Sequence, residues 1–238
     1  MSIDLAPDLA PSGRLRAAIN LGNPVLAQRH ADGRISGVSA ALARALAARH
    51  GLPVELHPFD TAGAAFAALA SGTCDNNFHA GEPPRAQEIG FTTPYVVIEG
   101  TCLVRAGSPI TDIAAIDAPG LRIAAGRNSA YDLHLSRTLR HATLVHAGSS
   151  EAAIETFARD GLDMAAGVRQ PLEAYAAANP GVRVLPGGFM RIEQAMAVPR
   201  GRPAALSLVE TFLTEMKRNG MIRFGLDASG QWDAAVAG

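Results

Sequence analysis

The chain has 238 residues, 48% of them hydrophobic and 18% charged, with a formal net charge of -1. That balance excludes a disordered chain, and the lack of any basic run excludes a nucleic-acid footprint. The length suits one large domain or two lobes of about 100 residues each.

Residues 1–13 read as a loose arm carrying Pro7, Pro11 and Gly13. The first residues lack the basic and apolar regions of a secretory leader. The chain as written is therefore expected in the cytoplasm, or in the periplasm had a leader been removed. No apolar run of about 18 residues occurs, so no membrane insertion is expected.

Leu15 to Leu21 is an apolar run that predicts a buried first strand, stopped by the turn Gly22-Asn23-Pro24. Asn23 there can cap the turn or face a ligand. Asp32-Gly33 signals a hairpin-like turn. Val38, Ala41, Leu42, Ala45 and Leu46 then recur at helical spacing, with Ser36 or Ser39 as N-cap and Gly51 as the stop. Val54 to Phe59 reads as a strand. A helix opened by Asp60 or Thr61 runs through Phe66 and Leu69 to Ser71-Gly72, and Asp75 to His79 reads as the next strand. The order β-α-β-α-β implies a parallel sheet.

After that strand the chain turns at Gly81-Glu82-Pro83-Pro84 and presents Arg85. Loops at the C-terminal ends of parallel strands are where α/β proteins hold ligands, and a guanidinium fork suits a carboxylate. The competing reading of Arg85 is a surface residue tied to Glu82 or Glu88.

Val96 to Val104 reads as a long strand-like run broken at Glu99-Gly100, of the kind that can pass between two lobes. A second alternation follows. Strands are expected at Leu121–Ala125, Thr143–His146, Met164–Val168 and Val182–Leu185. Helices are expected after Arg127-Asn128-Ser129, after Ser149-Ser150, and at Pro171–Ala178. Helix, Gly stop, Asp and strand occur in both halves, at Gly72/Asp75 and at Gly161/Asp163, which suggests two similar lobes facing each other. Met190 to Val198 offers a return crossover, Pro203 to Met216 a helix on the first lobe, and the tail with Trp232 a final short element.

Cys74 and Cys102 both sit in apolar, strand-like contexts and read as buried thiols rather than a disulfide. No Cys/His spacing suits zinc and no Gly-rich phosphate loop is present, so neither metal nor cofactor is expected.

Several of these segments together carry a family resemblance. They are Leu15–Asn20, Gly37–Gly51, Gly72-x-x-Asp75, Pro84-Arg85 followed by Phe91-Thr92-x-Pro94-Tyr95, and Gly161-x-Asp163. Over roughly residues 14–225 the chain resembles the polar-amino-acid solute-binding proteins of ABC importers. The resemblance implies an α/β, two-lobe periplasmic-binding-protein-like fold of type II, each lobe a mainly parallel sheet flanked by helices. Lobe 1 would be residues 1–101 plus 193–238 and lobe 2 residues 102–192, with the ligand in the cleft.

The resemblance also implies that Arg85 binds a ligand carboxylate, joined by the helix start at Arg127, Asn128 and Ser129. Helix N-terminal amides and a hydroxyl suit an anion.

Three departures from the pattern matter. No leader is expected from the first residues as written. The acidic partner for an α-amino group after Asp163 is missing, since that region reads Ala166-Gly167-Val168-Arg169-Gln170. A second ligand anion, met by Arg169 or Arg127, is the expected alternative to a plain α-amino acid. The loop before Arg85 is short and carries His79 and Glu82. The full candidate ligand set is Asn23, His79, Glu82, Arg85, Arg127, Asn128, Ser129 and Arg169.

The leading expectation is binding of a small anionic solute, amino-acid-like or a carboxylate, with a transporter or other protein as possible partner. The alternative is a cytosolic lyase of the cyclohexadienyl dehydratase kind, using His79 or Glu82 as acid or base. A third is a sensor domain.

Overall fold

The computed structural model describes residues 6–238, and the chain divides into two compact units. One comprises residues up to Val97 together with Glu193–Gly238; the other is Ile98–Ile192. Expectations about the first five residues, including the reading that no leader is present, lie outside the described residues.

In the first unit the described part of the expected loose arm holds a short helix, α1 (Ala6–Leu9), and its last residue Leu9 and the following Ala10 are buried. It is docked by a specific bond. Asp8 Oδ2 accepts the backbone N–H of Ala205 at 2.7 Å, in the first turn of a later helix that lacks a side-chain cap of its own.

The next elements are β1 (Leu15–Asn20), a two-residue ladder of β2 (Gln28–Arg29) with β3 (Ile35–Ser36), and α2 (Val38–Arg49). Then come β4 (Val54–Phe59), α3 (Ala62–Ala70), β5 (Asn76–Ala80) and β6 (Ile89–Arg105), which leaves the unit. β1 runs parallel to both β4 and β5, as the alternation of helix and strand requires. Its residues Leu15, Ala17, Ala18 and Ile19 are fully buried because helices cover the sheet.

Neither Ser36 nor Ser39 caps α2. Gly37 holds that place with φ 98°, where a Cβ would stand 2.4 Å from the Leu26 carbonyl oxygen. Ser39 turns inward, 3.3 Å from the buried Tyr95 hydroxyl. α3 does open at Thr61, whose hydroxyl accepts from Ala64 N–H.

The second unit begins within β6. The break expected at Glu99-Gly100 does not occur; one strand runs through. Gly100 is there for room, since a Cβ would meet Met190 Cγ at 2.8 Å and the Phe189 ring at 3.2 Å.

Beyond β6 lie β7 (Arg122–Gly126), α4 (Ala130–Thr138), β8 (Thr143–Ala147), α5 (Ser150–Arg159), β9 (Met164–Val168), α6 (Arg169–Ala178) and β10 (Val182–Val184). β7 is parallel to β8 and β9, while β9 and β10 pair antiparallel with β6. The core joins Leu103, Ala124, Phe157, Leu162, Ala165 and Leu172.

β11 (Met190–Pro199) carries the chain back, pairing antiparallel with β5. α7 (Pro203–Arg218), α8 (Met221–Asp227) and β12 (Ala235–Val236) complete the first unit, with β12 pairing β6 at Val96 and Val97. Among the described residues no helix is long and apolar enough to cross a membrane.

Candidate functional site

In the first unit, β1 and β5 are adjacent and parallel, so their C-terminal ends share one edge of the sheet. Asn23 follows β1 there; His79, Glu82 and Arg85 end or follow β5. This is the edge at which open α/β sheets hold ligands.

Asn23 is buried and works as a turn residue: its Oδ1 accepts from Val25 N–H at 3.3 Å and its carbonyl accepts from Leu26 and Ala27.

The loop after β5 is compact. Gly81 N–H reaches the Glu193 carbonyl on β11, and Glu82 accepts from both Arg85 and Ala86 N–H. Arg85 is therefore folded inward, only 4% exposed, and not the surface residue of the competing reading. Its Nη1 donates to His79 Nδ1 at 2.8 Å, and its guanidinium lies 5.6 Å from the centre of the Phe66 ring on α3. Burial pulls its pKa down to about 10 and Glu82 pulls it back, so it stays charged at neutral pH. Glu82 is itself 7% exposed.

His79 is 2% exposed, and its ring meets Phe66 edge-on at 6.1 Å. Burial first, and the charge of Arg85 second, hold it well below the ordinary histidine value. The Ala62 backbone pulls weakly the other way without forming a hydrogen bond of good geometry with Nε2.

In the second unit, β7 and β9 are adjacent and parallel, so Arg127–Ser129 and Arg169 likewise leave one shared edge. Ser129 is the N-cap of α4: its Oγ accepts from Asp132 N–H at 3.1 Å. Asp132 reaches back to Asn128 N–H at 2.8 Å with one carboxylate oxygen and meets His146 Nδ1 at 2.7 Å with the other. This is a variant of the capping box with aspartate at the third helical position: the carboxylate returns to the amide one residue before the N-cap, while Ser129 N–H goes to the Gly126 carbonyl. It holds Asn128 at φ 60°, a left-handed conformation asparagine tolerates better than most residues. The cap uses the amides of Asn128 and Asp132 and leaves those of Ala130 and Tyr131 as first-turn donors.

Arg127 is exposed, and its side chain makes no hydrogen bond or ion pair among the described residues.

Arg169 is fully engaged within its own unit. It bonds Glu99 at 2.6 Å, Glu173 at 3.2 Å and the Gly187 carbonyl at 2.6 Å. Meeting a ligand anion would require it to exchange those partners.

Sequence reasoning missed Phe66, Asp132 and His146. Asp132 had a signal, since it lies three residues beyond Ser129 as a capping box requires. The other two announce themselves only through contacts distant in sequence.

Two α/β units, each with polar and cationic groups after the C-terminal ends of parallel strands, define the periplasmic-binding-protein fold. The chain belongs to the bacterial extracellular solute-binding proteins, family 3, whose family model matches residues 15–224.

Solved structures agree on the fold. The solute receptor for L-cysteine of Neisseria gonorrhoeae is similar, with a TM-score of 0.82 at 21% identity over 95% of this chain and 92% of that one. AbpA, an amino acid ABC transporter substrate-binding protein from Streptococcus pneumoniae bound to L-arginine, gives 0.80 at 18% identity over 93% and 96%. The ancestral amino acid-binding protein AncCDT-1, a precursor of cyclohexadienyl dehydratase, gives 0.78 at 22% identity over 94% and 97%. Among curated proteins no sequence match is found.

Proposed function

We propose that this chain captures a small solute bearing a carboxylate, amino-acid-like in class, for an ABC importer, with Arg85 as the carboxylate receptor. The observation that carries this is Arg85 itself. A cation 4% exposed, clasped by a histidine and an aromatic ring at the ligand-holding edge of its sheet, serves no ordinary surface purpose. A guanidinium fork matches a carboxylate with two parallel bonds.

Within the second unit, the first turn of α4 offers further donors of the kind an anion takes. Arg127 is the cation available for a second acidic group, because Arg169 is committed to Glu99 and Glu173. Binding rather than turnover is favoured by His79, whose Nδ1 is occupied by Arg85 and which is sealed from solvent, a poor situation for a proton carrier. The family's extracellular description favours an exported location over the cytoplasmic one.

The test is a thermal-shift screen with amino acids, keto acids and dicarboxylates. A true solute at a hundred times its Kd stabilises the native state by about 2.7 kcal/mol. The shift should vanish in Arg85→Met, which keeps the bulk without the charge. A panel that moves nothing, or a shift that survives the substitution, overturns the proposal.

A further inference from the structure

Phe66, His79 and Arg85 form a closed set within the first unit, drawn from α3, β5 and the turn after β5. The roles in it are fixed by chemistry. A guanidinium can only donate. The 2.8 Å contact between Arg85 Nη1 and His79 Nδ1 therefore makes Nδ1 the acceptor and puts the imidazole proton on Nε2. An imidazolium could not make this bond, because both its nitrogens donate.

Phe66 is shared: the guanidinium lies over its ring at 5.6 Å and the imidazole meets it edge-on at 6.1 Å. The other ring nitrogen, Nε2, is buried and makes no hydrogen bond of good geometry, the Ala62 backbone exerting only a weak pull. A purely structural histidine would ordinarily satisfy both nitrogens well. This one satisfies its acceptor better than its donor, and the acceptor engages the arginine.

The charged surroundings of His79 are few. The turn contributes Arg85 and the loop Glu82. α3 is Ala-Gly-Ala-Ala-Phe-Ala-Ala-Leu-Ala and contributes none. β11 sets Ala195 opposite His79, with Gln194 beside it and exposed Glu193 one residue further. β1 sets Ala17 and Ala18 against Asn76 and Asn77.

We infer that His79 is a positioning residue for solute binding: its Nδ1 fixes the orientation of the Arg85 fork, and through it the affinity for the solute's carboxylate. The inference rests on Arg85 receiving that carboxylate. It goes further in assigning the preorganisation of the receptor to one acceptor atom. A side chain at position 79 that keeps an acceptor should serve; one of similar bulk without it should not.

Two measurements on the full chain decide this, and the first needs no solute. Nitrogen NMR of the imidazole should report the Nε2–H tautomer with Nδ1 hydrogen-bonded. His79 should titrate below 6.5 and move upward in Arg85→Met, where one of the two causes of its depression is gone. The Nδ1–H tautomer, or a titration indifferent to Arg85→Met, overturns the inference.

The second measurement uses whichever carboxylate gives an Arg85-dependent thermal shift. His79→Leu should weaken it roughly tenfold or more, and His79→Asn, whose Oδ1 can stand near Nδ1, by no more than about threefold. Equal losses in the two variants overturn it. If no solute in the panel shifts the melting point, the functional proposal fails while the NMR result still stands or falls by itself.

Discussion

Arg16 grips Asp75 with two parallel hydrogen bonds, Nε to Oδ2 at 2.9 Å and Nη2 to Oδ1 at 2.8 Å, across 59 residues of sequence. A third bond joins Arg16 N–H to Oδ2, and Arg202, just before α7, adds a fourth to Oδ1 at 3.0 Å. Asp75 is fully buried. The cluster sits at the N-terminal ends of β1 and β5, the edge opposite Arg85, and ties both strands to the helix that follows β11.

Replacing Asp75 by Asn should therefore be among the most damaging single changes in the chain. It leaves two arginines facing a neutral amide, and breaking a buried pair costs about 3–5 kcal/mol. Partial exposure of both arginines sets the expectation at the lower end. Urea unfolding of the variant measures it. The same cluster predicts acid sensitivity. Burial pushes the Asp75 carboxyl up, but the arginine bonds outweigh it, so its pKa in the fold is lowered. A group lowered on folding stabilises above its unfolded value and loses that stabilisation as pH falls through its folded value. Wild type should lose stability below about pH 4, and the Asn variant should show a flatter acid limb.

The cap of α4 gives a graded pair of variants. Ser129→Ala removes one bond and should cost about 1 kcal/mol. Asp132→Ala keeps that backbone bond but strips the Asn128 amide and His146 of their carboxylate partner, and should cost more, about 2 kcal/mol. Comparing the two by chemical denaturation checks the order. If Ser129 also touches solute, its variant will lose affinity out of proportion to its stability.

The two thiols should be silent in the native protein. Burial pushes Cys74 up to about 11 and Cys102 up to about 12, and neither is accessible. Only the thiolate reacts. A disulfide-exchange reagent at pH 8 should titrate no thiol in the folded chain and both in denaturant.

Gly126 ends β7 where a Cβ would stand 2.7 Å from Ser150 N and 2.9 Å from the Ser149 carbonyl oxygen, at the start of α5. Both obstacles are backbone, so Gly126→Ala should destabilise by about 1–3 kcal/mol. Gly148→Ala, with nothing within 4 Å, is the control and should fall within about 0.5 kcal/mol of wild type. Melting temperatures of the pair check the difference.

Much of the fold was legible because it is written locally. The apolar run after Leu15, the stops at Gly72 and Gly161 with φ 75° and 61°, and the caps at Thr61, Ser129 and Ser149 all depend on a few neighbouring residues. What stayed hidden depends on distant partners. Gly100 looks like a strand break until Phe189 and Met190 are seen pressing on it. Arg169 looks like a free cation until Glu99, 70 residues earlier, claims it. Arg85 was singled out by its place after β5, but neither its burial nor its contacts with His79 and Phe66 could be read from spacing. The arm before Leu15 looked unstructured because its anchor, the first turn of α7, lies 197 residues away.

The interrupted course of the first unit bears on how it is made. Residues 98–192 are made before the β5-pairing part of β11 and Arg202 exist, so for that interval β5 lacks its antiparallel neighbour and Asp75 has one arginine instead of two. The segment translated in the middle can close its own core in the meantime. The portion made first waits for the portion made last. Nascent chains arrested before residue 200 should accordingly be protease-sensitive in their opening hundred residues and resistant in the stretch that follows.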